Sequence, residues 1–211
     1  MNINKHLILL FSVLFFLFAV SVSSGCFRKN ESDVKSVVRN ELDQLKNLDS
    51  ETTQKYIPYT ELFPDATENT DLTDEINETF SLFFRKFNYK ISDVIVGTAN
   101  HSATVSVKLT TIDSKVLARD FKAELLRTQI TESAQAQKGN IKDSSRSLEA
   151  HYLILNHLLN TNDYDTAETD CNIQLVNTGN DKKEKWKIQR TNSLEDDLVG
   201  GLIADLADPD I

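Results

Sequence analysis

From Ser102 to Ile112 the side chains alternate strictly: Ala103, Val105, Val107 and Leu109 point one way, Thr104, Ser106, Lys108 and Thr110 the other. A period of two belongs to a pleated strand with one buried face, and no helix gathers that set on one side. The pattern commits the chain to a sheet, and the buried face needs a second layer to cover it.

Segments with helical spacing can supply that layer. Val34, Val37, Val38, Leu42, Leu45 and Leu48 recur at three and four, which predicts a helix from Ser32 to about Leu48 with Ser32 as N-cap. A short helix over Thr53 to Ile57 ends at Pro58. A further helix runs from Thr73 to about Phe87 on the stripe Leu72, Ile76, Phe80, Phe83, Phe84, Phe87. Tyr89 to Val96 reads as a strand with an irregularity at Asp93, joined by the turn Gly97 to Asn100 to the alternating strand. Helical spacing returns at Ser114 through Val116, Leu117, Phe121, Leu125 and Ile130 and stops at Lys138-Gly139-Asn140. Another helix is expected from about Asp143 to Asn160, with Leu148, Tyr152, Leu155, Leu158 and Leu159 inward. Ala167 to Val176 alternates again and places Cys171, Ile173 and Leu175 on one face. After the turn at Thr178 to Asp181, Glu184 to Arg190 alternates around Trp186 and Ile188, and Leu194 to Leu206 closes as a helix. Strands that meander with helices gathered on one face make an α+β domain, here with a helical pair inserted between two strand pairs.

The N-terminus does not belong to that domain. Lys5 is followed by an uncharged run from Leu7 to Val22, then Ser23-Ser24-Gly25 and Cys26. A basic start, an apolar core and small residues form a signal peptide. The run is also short of the roughly 20 residues of a comfortable membrane span. Ser24-Gly25-Cys26 resembles the end of the lipobox of bacterial lipoproteins, which implies cleavage after Gly25 and lipid on Cys26. The position three before the cysteine, usually aliphatic in that motif, holds Ser23, with Val22 one step further away. Ordinary secretion with cleavage after Ser24 and an uncleaved signal anchor are the alternatives. Lipidation is preferred because several acyl chains on one residue anchor stably where a single chain binds only marginally. The chain then divides into a signal peptide over 1–25, a lipidated tether over 26–31 and one domain over 32–211. Its expected location is the outer face of the bacterial cytoplasmic membrane.

Lys5 is the only charged residue before Cys26, so removing it takes the formal net charge from −9 to −10. An acidic domain lacks the basic footprint that nucleic acid needs and is expected to stand off anionic headgroups. With Cys26 committed to lipid, Cys171 is left alone and a disulfide framework is excluded.

The opening helix ending in "ELDQLKNLD", the strand "SATVSVKLTTID", the helical pair after it and the closing run "EKWKIQRTNSLEDDLVGGL" carry a resemblance over Glu31 to Leu206. In that order they resemble the nuclear transport factor two-like fold, a curved antiparallel sheet wrapped round helices as a cone. More narrowly, the chain looks like a family of uncharacterised Gram-positive bacterial lipoproteins with such a domain. The resemblance implies either an acid/base enzyme working in the cone or a non-catalytic binding domain, and fold alone does not choose.

The residues favour the binding domain. The inward strand positions Ala103, Val105, Val107, Leu109, Cys171, Ile173, Trp186 and Ile188 include no acid or base except one thiol. Cys171 has no histidine placed near it in sequence and reads as a small core residue. His101 sits at a hairpin end, while His151 and His157 are six apart on one helix, so they face different ways and form no metal pair. The acidic stretch Asp163, Asp165, Glu168, Asp170 lacks the glycine and closing glutamate of a calcium loop. Glu195-Asp196-Asp197 suits a helix N-terminal turn. No catalytic, metal or cofactor residue is assigned. Tyr89, Phe80, Phe84, Cys171 and Trp186 are the candidate pocket lining, with plain core packing as the competing reading. Expected partners are the membrane through Cys26 and a small molecule, wall component or protein. A homodimer paired through the sheets is a further candidate, and the alternative function is a cone-fold enzyme acting on an apolar small molecule.

Overall fold

The computed structural model describes residues 30–57, 62–63, 66, 72–97, 101–136, 147–179 and 184–210. The signal peptide, the cleavage point after Gly25, Cys26, and the turn residues Asn100, Gly139 and Asp181 lie outside the described residues.

Residues 30–46 form α1, followed by α2 (Ser50–Tyr56), α3 (Thr73–Phe84), β1 (Asn88–Val96), β2 (Ser102–Ile112), α4 (Ser114–Ala136), α5 (Leu148–Thr161), β3 (Thr166–Asn177), β4 (Trp186–Ile188), α6 (Asn192–Leu198) and α7 (Leu202–Ala207). The four strands make one antiparallel sheet in the order β1-β2-β3-β4. The architecture is α+β, as the periodicities predict, and the helical pair α4–α5 is inserted between the two central strands, which still pair directly.

The inner face of the sheet is the alternating set read from the sequence. Ala103, Val105 and Val107 stand opposite Leu175, Ile173 and Cys171, and all six are buried. The outer face is a polar ladder: Thr104 Oγ1 donates to Gln174 Oε1 at 3.0 Å, Ser106 Oγ to Asn172 Oδ1 at 2.9 Å, and Lys108 reaches Glu168 at 3.2 Å. Cross-strand pairs of this kind mark a solvated face.

β1 carries the irregularity expected at Asp93. Its register shifts between Ile91 and Asp93, leaving Ser92 as the extra residue of a bulge. The bulge changes the parity of the inward positions, so Tyr89 and Ile91 before it and Val94 and Val96 after it all pack towards the core.

Element ends depart from the expectations where local chemistry competes with the apolar period. Ser32 is not an N-cap, because residues 30 and 31 are already helical. The Phe stripe is helical only to Phe84, and Phe87 is buried after a turn. The helix expected from Asp143 begins at Leu148, since Ser147 is extended and its hydroxyl accepts Ala150 N–H at 3.1 Å. Strand order around Trp186 covers three residues, not seven. The closing helix is two helices, because Gly200 and Gly201 adopt φ of +66° and +90° between them. On α4 the buried residues end at Phe121, and Ile130, expected inward, is 61% exposed.

α1 closes with the same device, without glycine. Leu48 takes φ 61°, Leu48 N–H donates to Leu45 O at 3.0 Å and Asp49 N–H to Gln44 O at 3.0 Å. This is a Schellman pair of hydrogen bonds, and it turns the chain into α2. No described helix is long and apolar enough to cross a membrane.

Candidate functional site: a cationic groove between α1 and β1

The candidate pocket residues separate in space. Phe80, Phe84, Cys171 and Trp186 lie in the hydrophobic core, all under a tenth exposed. Phe84 sits among Phe80, Phe83 and Phe87, with ring centroids at 6.4, 5.5 and 5.3 Å. Trp186 Nε1 donates to Glu184 Oε2 at 3.2 Å, which satisfies the polar end of a buried ring. Tyr89 is only half-buried and packs at the margin of this core.

Tyr89 lines an open groove of about 310 Å³ with Lys35, Arg39, Asp43 and Lys46 of α1 and Asn88 and Ile91 of β1. Its formation follows from the helix. At 3.6 residues per turn, Lys35, Arg39 and Lys46 fall within about 40° of one another round the axis, on one flank of the buried stripe Val34-Val38-Leu42-Leu45. The sheet edge supplies the opposite wall.

The polar contacts leave the groove positive. Tyr89 Oη donates to Asp43 Oδ1 at 2.6 Å, and burial, followed by this bond and the Asp43 charge, pushes the phenol up to about 12. Asp43, the one carboxylate of the wall, is thus engaged by a neutral hydroxyl. Lys46 Nζ donates to Asn88 Oδ1 at 2.8 Å, again a neutral partner. Among the described residues, neither the Lys35 ammonium nor the Arg39 guanidinium makes a hydrogen bond or ion pair. The α1 wall of the open cleft therefore carries three cations and one anion, and the uncharged Asn88, Tyr89 and Ile91 of β1 stand opposite. Such an arrangement can hold an anionic group with charge-assisted hydrogen bonds. Sequence reasoning named Tyr89 and missed the three cations, although their spacing on α1 was the available signal.

A second polar contact lies in the core. Asp197 of α6 faces Cys171 of β3; the contact was not visible in a sequence that separates them by 26 positions. Burial first, then the Asp197 carboxylate, pushes the thiol up to about 12, the opposite of what a nucleophile needs. Asp197 is itself raised above the usual carboxylate range by burial and by Asp196. Two consequences can be measured. In the folded chain Cys171 should resist a thiol reagent at pH 8 and react only on unfolding. Its linkage to stability has one sign: from the ordinary 9.0 to about 12 the unfolded chain loses the proton while the fold keeps it, so this contribution falls as pH rises through that window. Fast labelling of the native chain would contradict both.

Of the neighbouring acids, Glu195 lies in the first turn of α6, as expected, and both Glu195 and Asp196 also have tertiary roles. Glu195 is buried against Arg190, and Asp196 Oδ1 accepts Ile203 N–H at 2.9 Å and Ala204 N–H at 3.2 Å, capping α7. His101 and His157 are exposed, and His151 packs beside Phe63 at 4.9 Å. Among the described residues no group of three His, Cys, Asp or Glu is placed to hold a metal. Comparison with protein-family models, with curated proteins and with solved structures finds no match to this chain.

Proposed function

We propose that this chain is a membrane-anchored extracytoplasmic lipoprotein, held by lipid on Cys26, whose domain is a non-catalytic binding module. The observation that carries the anchor is the order Lys5, the uncharged run Leu7 to Val22, Ser24-Gly25 and Cys26. The binding role is supported by the cationic groove, which offers charge and hydrogen-bond donors without a poised acid or base. We also read the domain as a relative of the nuclear transport factor two-like cone, on the support of helices preceding a four-stranded antiparallel sheet with an inserted helical pair.

Labelled palmitate should enter the wild-type protein in a Gram-positive host and be lost in Cys26→Ala. Continued labelling of the variant, or none of the wild type, refutes the anchor.

The enzyme reading has one supporting observation, the half-buried Asp43–Tyr89 pair facing the groove. A phenol held near 12 that already donates to a carboxylate is a poor base at neutral pH, so the pair suits binding better. Pairing of two copies through the sheet is not favoured, because the outer face of β2 and β3 is the polar ladder described above. Light scattering on the unlipidated domain tests this: a monomer is expected.

A further inference from the structure

We propose that the groove formed by Lys35, Arg39, Lys46 and Asn88 binds the phosphodiester headgroup of the anionic lipids in the membrane that carries the anchor. This assignment rests on the anchor at Cys26 for its occupant and on the groove for its chemistry.

Three facts converge on that occupant. The groove holds three cations against one carboxylate, and that carboxylate already accepts the Tyr89 hydroxyl. A phosphodiester carries one negative charge and two free acceptor oxygens, which suits a guanidinium and an ammonium one helical turn apart. The position of the groove supplies the second fact. α1 is helical by residue 30, so three residues, Phe27 to Lys29, lie between that point and Cys26, a reach of about 14 Å at most over four Cα steps. Lys35 follows about 8 Å along the helix and Lys46 about 24 Å along it. A lipid on Cys26 therefore leaves α1 free to lie along the bilayer surface with its cationic flank turned to it.

The third fact answers the overall acidity. The net charge of −10 left after removal of Lys5 opposes an anionic surface only where that charge is felt, and at physiological salt the screening length is about 8 Å. Of the acids outside the groove, Glu31, Asp33 and Glu41 lie on α1 itself, Glu41 being paired with Lys55, while others lie on different elements, for example Glu168 and Asp170 on the outer sheet and Glu195 to Asp197 at α6. A headgroup in the groove meets the local charge, not the total.

The test uses the mature chain from residue 27, which keeps every described element and carries no lipid. It should sediment with vesicles of phosphatidylcholine mixed with phosphatidylglycerol and not with phosphatidylcholine alone. Affinity should fall about five-fold for each groove cation removed, so about a hundred-fold in Lys35→Gln/Arg39→Gln/Lys46→Gln. The control Lys108→Gln/Lys115→Gln/Lys187→Gln removes the same charge elsewhere and should bind as the parent does. Arg28 and Lys29 of the tether are present in all three chains, so they do not bias the comparison. Equal loss in both triple variants, or no preference for the anionic vesicles, overturns the assignment. Glycerol phosphate is titrated into the same chain by amide NMR. Saturable shifts at Lys35, Arg39 and Asn88 without vesicle binding would make the occupant a soluble phosphate ester and equally overturn the membrane assignment. Because the chain used has no lipid, failure here leaves palmitate labelling of Cys26 untouched, and failure of the labelling leaves the vesicle result standing.

Discussion

Replacing Phe84 with alanine should cost the fold about 3–5 kcal/mol, read as a lower urea midpoint with an unchanged slope. The ring is 1% exposed and meets three other phenylalanines, Phe83 and Phe87 edge-on. Edge-to-face pairs add about 0.5–1.5 kcal/mol each beyond the area they bury. α3 packs on α5 and reaches β2, so a void at Phe84 opens where the helical layer meets the sheet. Neighbours fixed on several elements cannot collapse into such a void at little cost. The same substitution separates two meanings of the Phe-rich stripe. A core ring costs several kcal/mol, whereas a ring on the wall of an open cavity has already lost part of its contacts. A loss below about 1 kcal/mol would place Phe84 on such a wall.

Gly200→Ala should be nearly as damaging, at about 3 kcal/mol, although it adds a single methyl group. Two separate costs combine there. Gly200 has φ +66°, which an L side chain adopts at a cost of about 1–2 kcal/mol. A Cβ at this position would also stand 2.2 Å from Thr111 Oγ1 and 3.2 Å from Thr111 Cβ. Thr111 belongs to the central strand β2 and is 1% exposed, so it cannot move aside without disturbing the sheet. The Gly200 carbonyl oxygen is also the acceptor for Ser114 Oγ at 2.6 Å, which ties this turn to the start of α4. Gly201 provides the comparison. Its φ is +90°, but the nearest atoms to an added Cβ are 3.8 and 3.9 Å away. Gly201→Ala should therefore show only the backbone cost. In Thr111→Ala/Gly200→Ala the clash with Oγ1 should be relieved, while the backbone cost and the 3.2 Å approach to the Cβ at 111 remain. Equal losses for the two single variants would show that the approach to Thr111 carries no weight.

Much of the fold is legible because burial imposes a period. Val105, Val107, Cys171 and Ile173 could be assigned to one face of a sheet from alternation alone, and the structure buries all four. The stripe Phe80-Phe83-Phe84 and the run Tyr152-Leu155-Leu159 could be assigned to helices for the same reason. Ile130 shows where this logic ends. It continues the spacing of α4, yet a helix of 23 residues reaches past the layer that covers its first half. Periodicity says which side of a helix is apolar, not how far its neighbours extend.

The candidate site was legible only in part. Lys35, Arg39 and Lys46 share a flank of α1 by spacing alone, but the far wall, Asn88 and Tyr89, comes from a strand more than 40 positions later. The net charge sums over the whole surface and hides a local excess of the opposite sign. Residue types and spacings along the chain by themselves determined the α+β class, the inward set of each strand, the unpaired Cys171 and the expectation of an anchor at Cys26. Only the tertiary structure decided that Asp197 meets Cys171, that Asp196 caps α7, that the last helix breaks at Gly200-Gly201, and that three cations face a sheet edge across a groove. The reason is physical. Local propensity and burial act along the chain with a short period, whereas the partner of a charged or polar group is chosen by distance in space once the layers have packed.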